Sequence, residues 1–225
     1  MTLEVCAGSL ASAKAAAEGG AERIEMCVDL HKDGLSPDSF IISKACQMEG
    51  LKVHVLVRPR EGNFVYSEEE FAEMTDTIIA ARTLGADGIV IGALTPEGDV
   101  DVPHCRQLIA EAQGLSVTFH RAFDCCRDPQ RALEDIISLG CDRLLTSGQA
   151  PTAEAGIPLL RQLVKQAAGR ITIMPGAGVN AGNAVRILKE TGATEIHSSA
   201  RRLSSEPDTD PEVVREILQS LHSHL

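Results

Sequence analysis

Glu4 and Cys6, then Glu25 and Cys27, repeat one small pattern, a carboxylate followed two residues later by a thiol inside an apolar run. Alternate residues of a strand share a face, so each glutamate would point the same way as its cysteine. On neighbouring strands about 4.8 Å apart, two such thiols could hold a soft monovalent ion such as Cu(I) in two-coordinate fashion. The plainer reading is a pair of small core thiols, the usual state of buried cysteine. Arg58, His120, Asp124 and His197, with Arg60 close behind Arg58, are the types needed to bind an anion and move a proton. Among them His120, with Asp124 nearby, is the expected general acid or base, tuned across neutral pH by a carboxylate. A third group is the run from Met174 to Asn180, with Gly176 and Gly178, followed by Ser198 and Ser199. Close-approaching backbone and hydroxyls there could bind a phosphate. Alternatively, the glycines simply make a turn and Asn180 caps a helix.

Other chemistries are disfavoured. Schiff-base chemistry needs a lysine at the C-terminal end of a strand. Lys14, Lys44, Lys165 and Lys189 fall in helical segments, Lys52 at the wrong end of its strand and Lys32 in a loop. There is no GxSxG, HExxH or CxxC motif, and the adjacent Cys125 and Cys126 read as packing. No nucleotide cofactor is expected.

These groups need elements to position them. Eight apolar, β-rich runs recur, at 3–6, 23–28, 53–57, 88–91, 116–120, 143–146, 171–174 and 195–198. A glycine precedes each run after the first, at Gly20, Gly50, Gly85, Gly114, Gly140, Gly169 and Gly192, where a helix would end in a left-handed cap. Helix starts are signalled by Ser36-Pro37, Asp128-Pro129 and Asp210-Pro211, and by Ser67 with Glu70 as a capping box. Strict alternation at about 28 residues per unit predicts a single-domain α/β fold over residues 1–225, a TIM (β/α)8 barrel.

Parity then sorts the strand residues. Val5, Ile24, Val53, Val55, Val57, Phe119, Ile171, Ile173 and Ile196 should face the helices. Glu4, Cys6, Glu25, Cys27, His54, Arg58, Thr118, His120, Thr172, Met174, Glu195, His197 and Ser199 should face the barrel axis. Charged groups inside a barrel are costly unless paired. For Glu4, Glu195 and His54, low in their strands, a self-satisfied ionic network is at least as good a reading as function. Arg58, His120 and His197 lie near the C-terminal strand ends, where barrel active sites form.

Composition closes off further classes. The chain has 225 residues, 21 Lys and Arg against 32 Asp and Glu, a formal net charge of -11, no Trp and one Tyr. That leaves neither a basic footprint nor stacking platforms for nucleic acid. No apolar run approaches the roughly 20 residues of a membrane span, and the first ten residues lack a basic leader region. Seven scattered cysteines, an odd number, read as reduced thiols in a cytoplasmic protein. A homo-oligomer is left open.

Six runs carry a family resemblance: Leu3-Glu4-Val5-Cys6, Arg23-Ile24-Glu25-Met26-Cys27, Arg58 to Ser67, Thr118 to Asp124, Leu145-Thr146-Ser147-Gly148 and His197 to Arg201. Together they resemble the CutC copper homeostasis family over Leu3 to Arg201. The resemblance implies a TIM barrel assigned to cytoplasmic copper handling, with Cys6 and Cys27 at the family cysteines proposed as Cu(I) ligands. Two departures stand out. Glu61-Gly62 replaces a Gly-Gly pair, and the family's long segment after the last strand is missing, so that closure over the site is in doubt. Copper explains two cysteines but not Glu25, Arg58, His120, Asp124 and the glycine loop. An enzyme of unassigned reaction, a lyase or isomerase acting on a small anionic or phosphorylated metabolite, is therefore kept beside a Cu(I)-binding protein, and a purely structural barrel is the least attractive reading.

Overall fold

All seven glycines that precede a strand have φ between +76° and +95°, the region where a side chain is strained and helices commonly terminate. In the computed structural model, which describes residues 1–202 and 208–224, they punctuate a strict strand and helix alternation. The elements are β1 (Thr2–Ala7), α1 (Leu10–Glu18), β2 (Arg23–Met26), α2 (Ser39–Cys46), β3 (Lys52–Leu56), α3 (Glu68–Thr83), β4 (Gly88–Ile91) and α4 (Val102–Ala112). They continue with β5 (Ser116–Phe119), α5 (Pro129–Ser138), β6 (Arg143–Thr146), α6 (Ile157–Ala167), β7 (Thr172–Pro175), α7 (Ala184–Thr191), β8 (Glu195–Ser198) and α8 (Pro211–His224). The eight strands pair in parallel in the order β7-β6-β5-β4-β3-β2-β1-β8, and β7 meets β8 at the seam of a nearly closed barrel.

Two local expectations are corrected. Helix α2 is capped not by Ser36-Pro37 but by Asp38, whose carboxylate accepts from the amide of Ile41. The Ser36 hydroxyl is already engaged, accepting from the amide of Arg58. The second strand stops at Met26 rather than Val28, because Val28 turns to an antiparallel bridge with Leu35. The intervening loop places Leu30 over the barrel mouth. The other starts agree with their signals: Asp128 caps α5, Asp210 accepts from the amide of Glu212 at the head of α8, and Ser67 and Glu70 form the capping box of α3. Part of the shortened connection before α8, residues 203–207, lies outside the described residues.

Packing divides as parity predicts. Val5, Ile24, Val53, Val55, Val57, Phe119, Ile171, Ile173 and Ile196 belong to one large core between strands and helices. Inside the barrel, Cys6, Cys27, Leu56 and Val90 form a separate small cluster with Leu30 against it. Beneath that cluster the interior is ionic. Arg23 donates from Nε to Glu4 at 2.6 Å and pairs through Nη2 with Glu195, which also receives Arg143 at 2.8 Å. Self-pairing satisfies Glu4, Arg23 and Glu195, for which burial alone would be prohibitive, whereas His54 Nδ1 stands 3.7 Å from Glu4 Oε2 with no hydrogen bond among the described residues.

Candidate functional site

The register of β1 and β2 is staggered: Cys6 lies opposite Glu25, and Cys27 follows one pleat higher. The cysteines are therefore diagonal neighbours rather than matched ones, yet their sulfurs approach to 3.7 Å. Cys6 is 8% exposed and Cys27 is fully buried. The Cys6 thiol also reaches Glu25 Oε1 at 3.5 Å, and Cys27 reaches the carbonyl of Ala7 at 3.6 Å. Cys6, Glu25 and Cys27 can bring three ligand atoms within 4.8 Å of one another. The contact with Cys27, burial and the nearby Glu25 all push the Cys6 thiol well above its ordinary range, so Cys6 rests as a thiol.

His197 links this group to the ionic layer, with Nδ1 at 2.9 Å from Glu4 Oε1. Burial opposes charge on His197, but Cys6, Glu4 and Glu25 outweigh it and raise its pKa well above the usual value. Burial likewise opposes ionisation of Glu4, yet His197, Arg23 and His54 hold its pKa down to about 2. Glu25 is the contrasting carboxyl. Its pKa is raised by burial and by the charge of Glu4, against the pull of His197, and its Oε2 has no partner among the described residues.

Above these groups opens a cavity of about 600 Å³, lined among others by Cys6, Glu25, Arg58, Phe64, His120 and Gly178. Arg58 leaves the end of β3 with its guanidinium fixed by three carbonyls: Nη1 donates to Lys32 at 2.9 Å and Gly34 at 3.0 Å, and Nη2 to Gly62 at 3.2 Å. It also lies over the ring of Phe64, 5.1 Å from its centroid. The same ring packs against His120 with 5.1 Å between centroids.

His120 differs from the expected carboxylate-tuned acid or base. Its Nδ1 accepts from the amide of Ala122 at 3.1 Å, and its pKa is pushed down to about 3 by burial and then by the charge of Arg58. Asp124 instead organises the loop after β6, accepting from Thr146, the amides of Ser147 and Gln149, and Arg121 Nε. Arg60 turns out of the cavity, where Glu70 takes its Nε at 2.5 Å and the carbonyls of Asn63 and Val65 take its other nitrogens.

The glycine loop is divided in the same way. Gly176 is packed: its amide donates to Thr146, and a Cβ there would come within 2.5 Å of Leu145 Cδ1. Gly178, with φ of +69°, lines the cavity beside Ala177 and Val179. The Ser198 hydroxyl is consumed locally, donating to the Val179 carbonyl and accepting from the Ala200 amide. Ser199 lines the cavity and accepts from Arg201 Nε at 3.3 Å. Arg23, Arg143 and Arg121 belong to the arrangement but were absent from the sequence-derived set. Arg23 shares the parity of Glu25 and Cys27, a signal sufficient to place it inside.

Comparison with known proteins places this geometry in a lineage. The model of the CutC family matches residues 1–202. A family protein CutC from Bacteroides thetaiotaomicron is 53% identical over 199 residues, covering 88% of this chain and 80% of its own length. Another from Pasteurella multocida is 49% identical over 209 residues, covering 92% and 86%. Among solved structures, a proposed copper homeostasis protein CutC from Streptococcus agalactiae superposes with a TM-score of 0.85 at 33% identity, covering 88% of this chain and 98% of that one. The thiamine phosphate pyrophosphorylase of Pyrococcus furiosus, at 21% identity and a TM-score of 0.67 over 100% of this chain and 96% of its own, shares the fold alone.

Proposed function

The chain belongs to the CutC family, and from that premise we propose that it is a copper homeostasis protein that binds Cu(I) between Cys6 and Cys27. The observation that carries the reading is the 3.7 Å separation of two sulfurs, of which Cys6 lines an open cavity and Cys27 is buried behind it. Soft thiolate donors select Cu(I), and a site with only two of them leaves the tetrahedral demand of Zn²⁺ unmet. Binding must displace the thiol protons. Glu25, with one oxygen on Cys6 and the other unpartnered among the described residues, stands beside the sulfurs as the group suited to that exchange. The same reading puts the protein in the cytoplasm, where thiols stay reduced. Among the described residues no helix is long and apolar enough to cross a membrane.

The test is competition for Cu(I) against a chromophoric chelator. The reduced protein should take one equivalent, Cys27→Ser should lose it, and Cys125→Ser, altering an exposed cysteine that lines the same cavity but is not one of the two sulfurs in contact, should keep it. Unchanged binding by Cys27→Ser would sink the proposal.

A second reading is favoured by a separate observation: a cavity of about 600 Å³ is far larger than an ion needs and falls in the range of metabolite sites. In it the barrel takes a small anionic or phosphorylated metabolite, as ligand or as the substrate of a lyase or isomerase. The loop of Ala177, Gly178 and Val179, with Ser199, is the end suited to a phosphate. Thermal stability should then rise with inorganic phosphate by mass action. Gly178→Val, which places a side chain at a left-handed position facing Thr152, should remove the shift; an identical shift in that variant would count against the site.

A further inference from the structure

Among the described residues Arg58 is a buried cation without a counter-ion. It is 4% exposed, and none of the carboxylates that line the cavity, Glu25, Asp33 and Asp124, pairs with it among the described residues. Three backbone carbonyls orient its guanidinium, the Tyr66 hydroxyl lies beside the side chain, and its Nε has no well-formed hydrogen bond among the described residues. In a chain whose net charge is -11, an unpaired buried arginine is not for want of available carboxylates. Leaving such a charge unneutralised is costly, and the cost is relieved when a ligand supplies the anion.

His120 adds a donor of known polarity. The amide of Ala122 donates to Nδ1, so Nδ1 is the unprotonated nitrogen and the proton of the neutral ring sits on Nε2. That Nε2 is buried and has no acceptor among the described residues. Both side chains line the cavity and pack against the ring of Phe64.

We infer that Arg58 and His120 together receive the carboxylate of a small organic acid, one oxygen on each unpaired N–H. The inference rests on the second reading above and assigns the orientation of the ligand in that cavity. A planar group with two oxygens can take one donor from each of two residues. Of the five guanidinium N–H groups of Arg58, three are given to carbonyls, which leaves Nε–H and one Nη2–H to a ligand. A phosphate, where the acid carries one, goes to the loop at Gly178. His120 acts here as a positioning hydrogen-bond donor and takes no proton.

Three probes separate the ends of such a ligand: 3-phosphoglycerate with both groups, glycerol 3-phosphate with the phosphate only, and glycerate with the carboxylate only. Calorimetry should find 3-phosphoglycerate bound at least about tenfold more tightly than glycerol 3-phosphate, a contrast expected when donors would otherwise stay unpaired. His120→Leu and Arg58→Met should erase the preference without weakening glycerol 3-phosphate, and His120→Gln, which keeps an N–H, should retain part of it. Since Arg58 also ties down three carbonyls, a measurement on the unmutated protein is decisive. With histidine labelled with ¹⁵N, the His120 Nε2–H resonance should move on adding 3-phosphoglycerate or glycerate and stay still with glycerol 3-phosphate. Equal affinity for the two phosphates with a stationary resonance would overturn the carboxylate site while leaving an anion cavity in place. Failure of all three probes to bind would overturn both.

Discussion

Arg23 holds two carboxylates at once, Glu4 and Glu195, in the lowest layer of the barrel. Replacing it with leucine would leave Glu4 to His197 and Glu195 to Arg143, each one partner short, a change that costs up to about 3–5 kcal/mol, the figure for breaking a buried pair. Urea unfolding of Arg23→Leu should show a loss of that size, and a loss under about 1 kcal/mol, the worth of a surface pair, would contradict the account of the layer. The acid limb follows from the same residues. His54, its pKa pushed down to about 4 by burial, and Glu4, held at about 2, both have folded pKa values below their ordinary ones. Such groups contribute stability that is complete above the unfolded pKa and lost as pH falls through the folded one. Stability should therefore decline from about pH 6.5 downward, first as His54 is forced to charge inside the barrel and then as Glu4 protonates. A urea midpoint that stays level between pH 7 and pH 3 would contradict this.

Helix α3 shows how an element serves the site. Its capping box joins Ser67 and Glu70, and Glu70 also takes Arg60, which fastens the loop carrying Gly62 and Phe64 around Arg58. Ser67→Ala should cost about 1 kcal/mol, the usual worth of an N-cap, read as a lower urea midpoint; no change would show that the box does not hold the helix start. This box was legible in the sequence because S-x-x-E is a purely local signal. Ser36-Pro37 was misleading for the opposite reason. Ser36, Asp38 and Ser39 are all capping residues by type, and a tertiary contact, the Arg58 amide on the Ser36 hydroxyl, leaves the cap to Asp38. Arg60 shows the same limit. Nothing in Arg58-Pro59-Arg60 says which arginine finds a carboxylate nearby and which does not.

At the scale of the molecule, the barrel was readable because repetition is robust: seven glycines and eight apolar runs mark the same period, and parity alone divides the helix-facing core from the polar interior. Pairing across the interior was not readable, because it depends on the stagger between strands. That stagger sets Cys6 opposite Glu25 rather than Cys27, and it gathers Glu4, Arg23, Glu195 and His197 from β1, β2 and β8. The outcome is a molecule with a paired ionic base, two thiols in contact above it, and a cavity over the thiols. Its central claim is that this pair of sulfurs is the copper site. Copper-edge X-ray absorption on the reduced protein loaded with one equivalent of Cu(I) tests it most directly. The account predicts two sulfur neighbours in the unmodified protein and one fewer in Cys27→Ser, whereas a shell of nitrogen and oxygen alone, or a spectrum unchanged by Cys27→Ser, would contradict it.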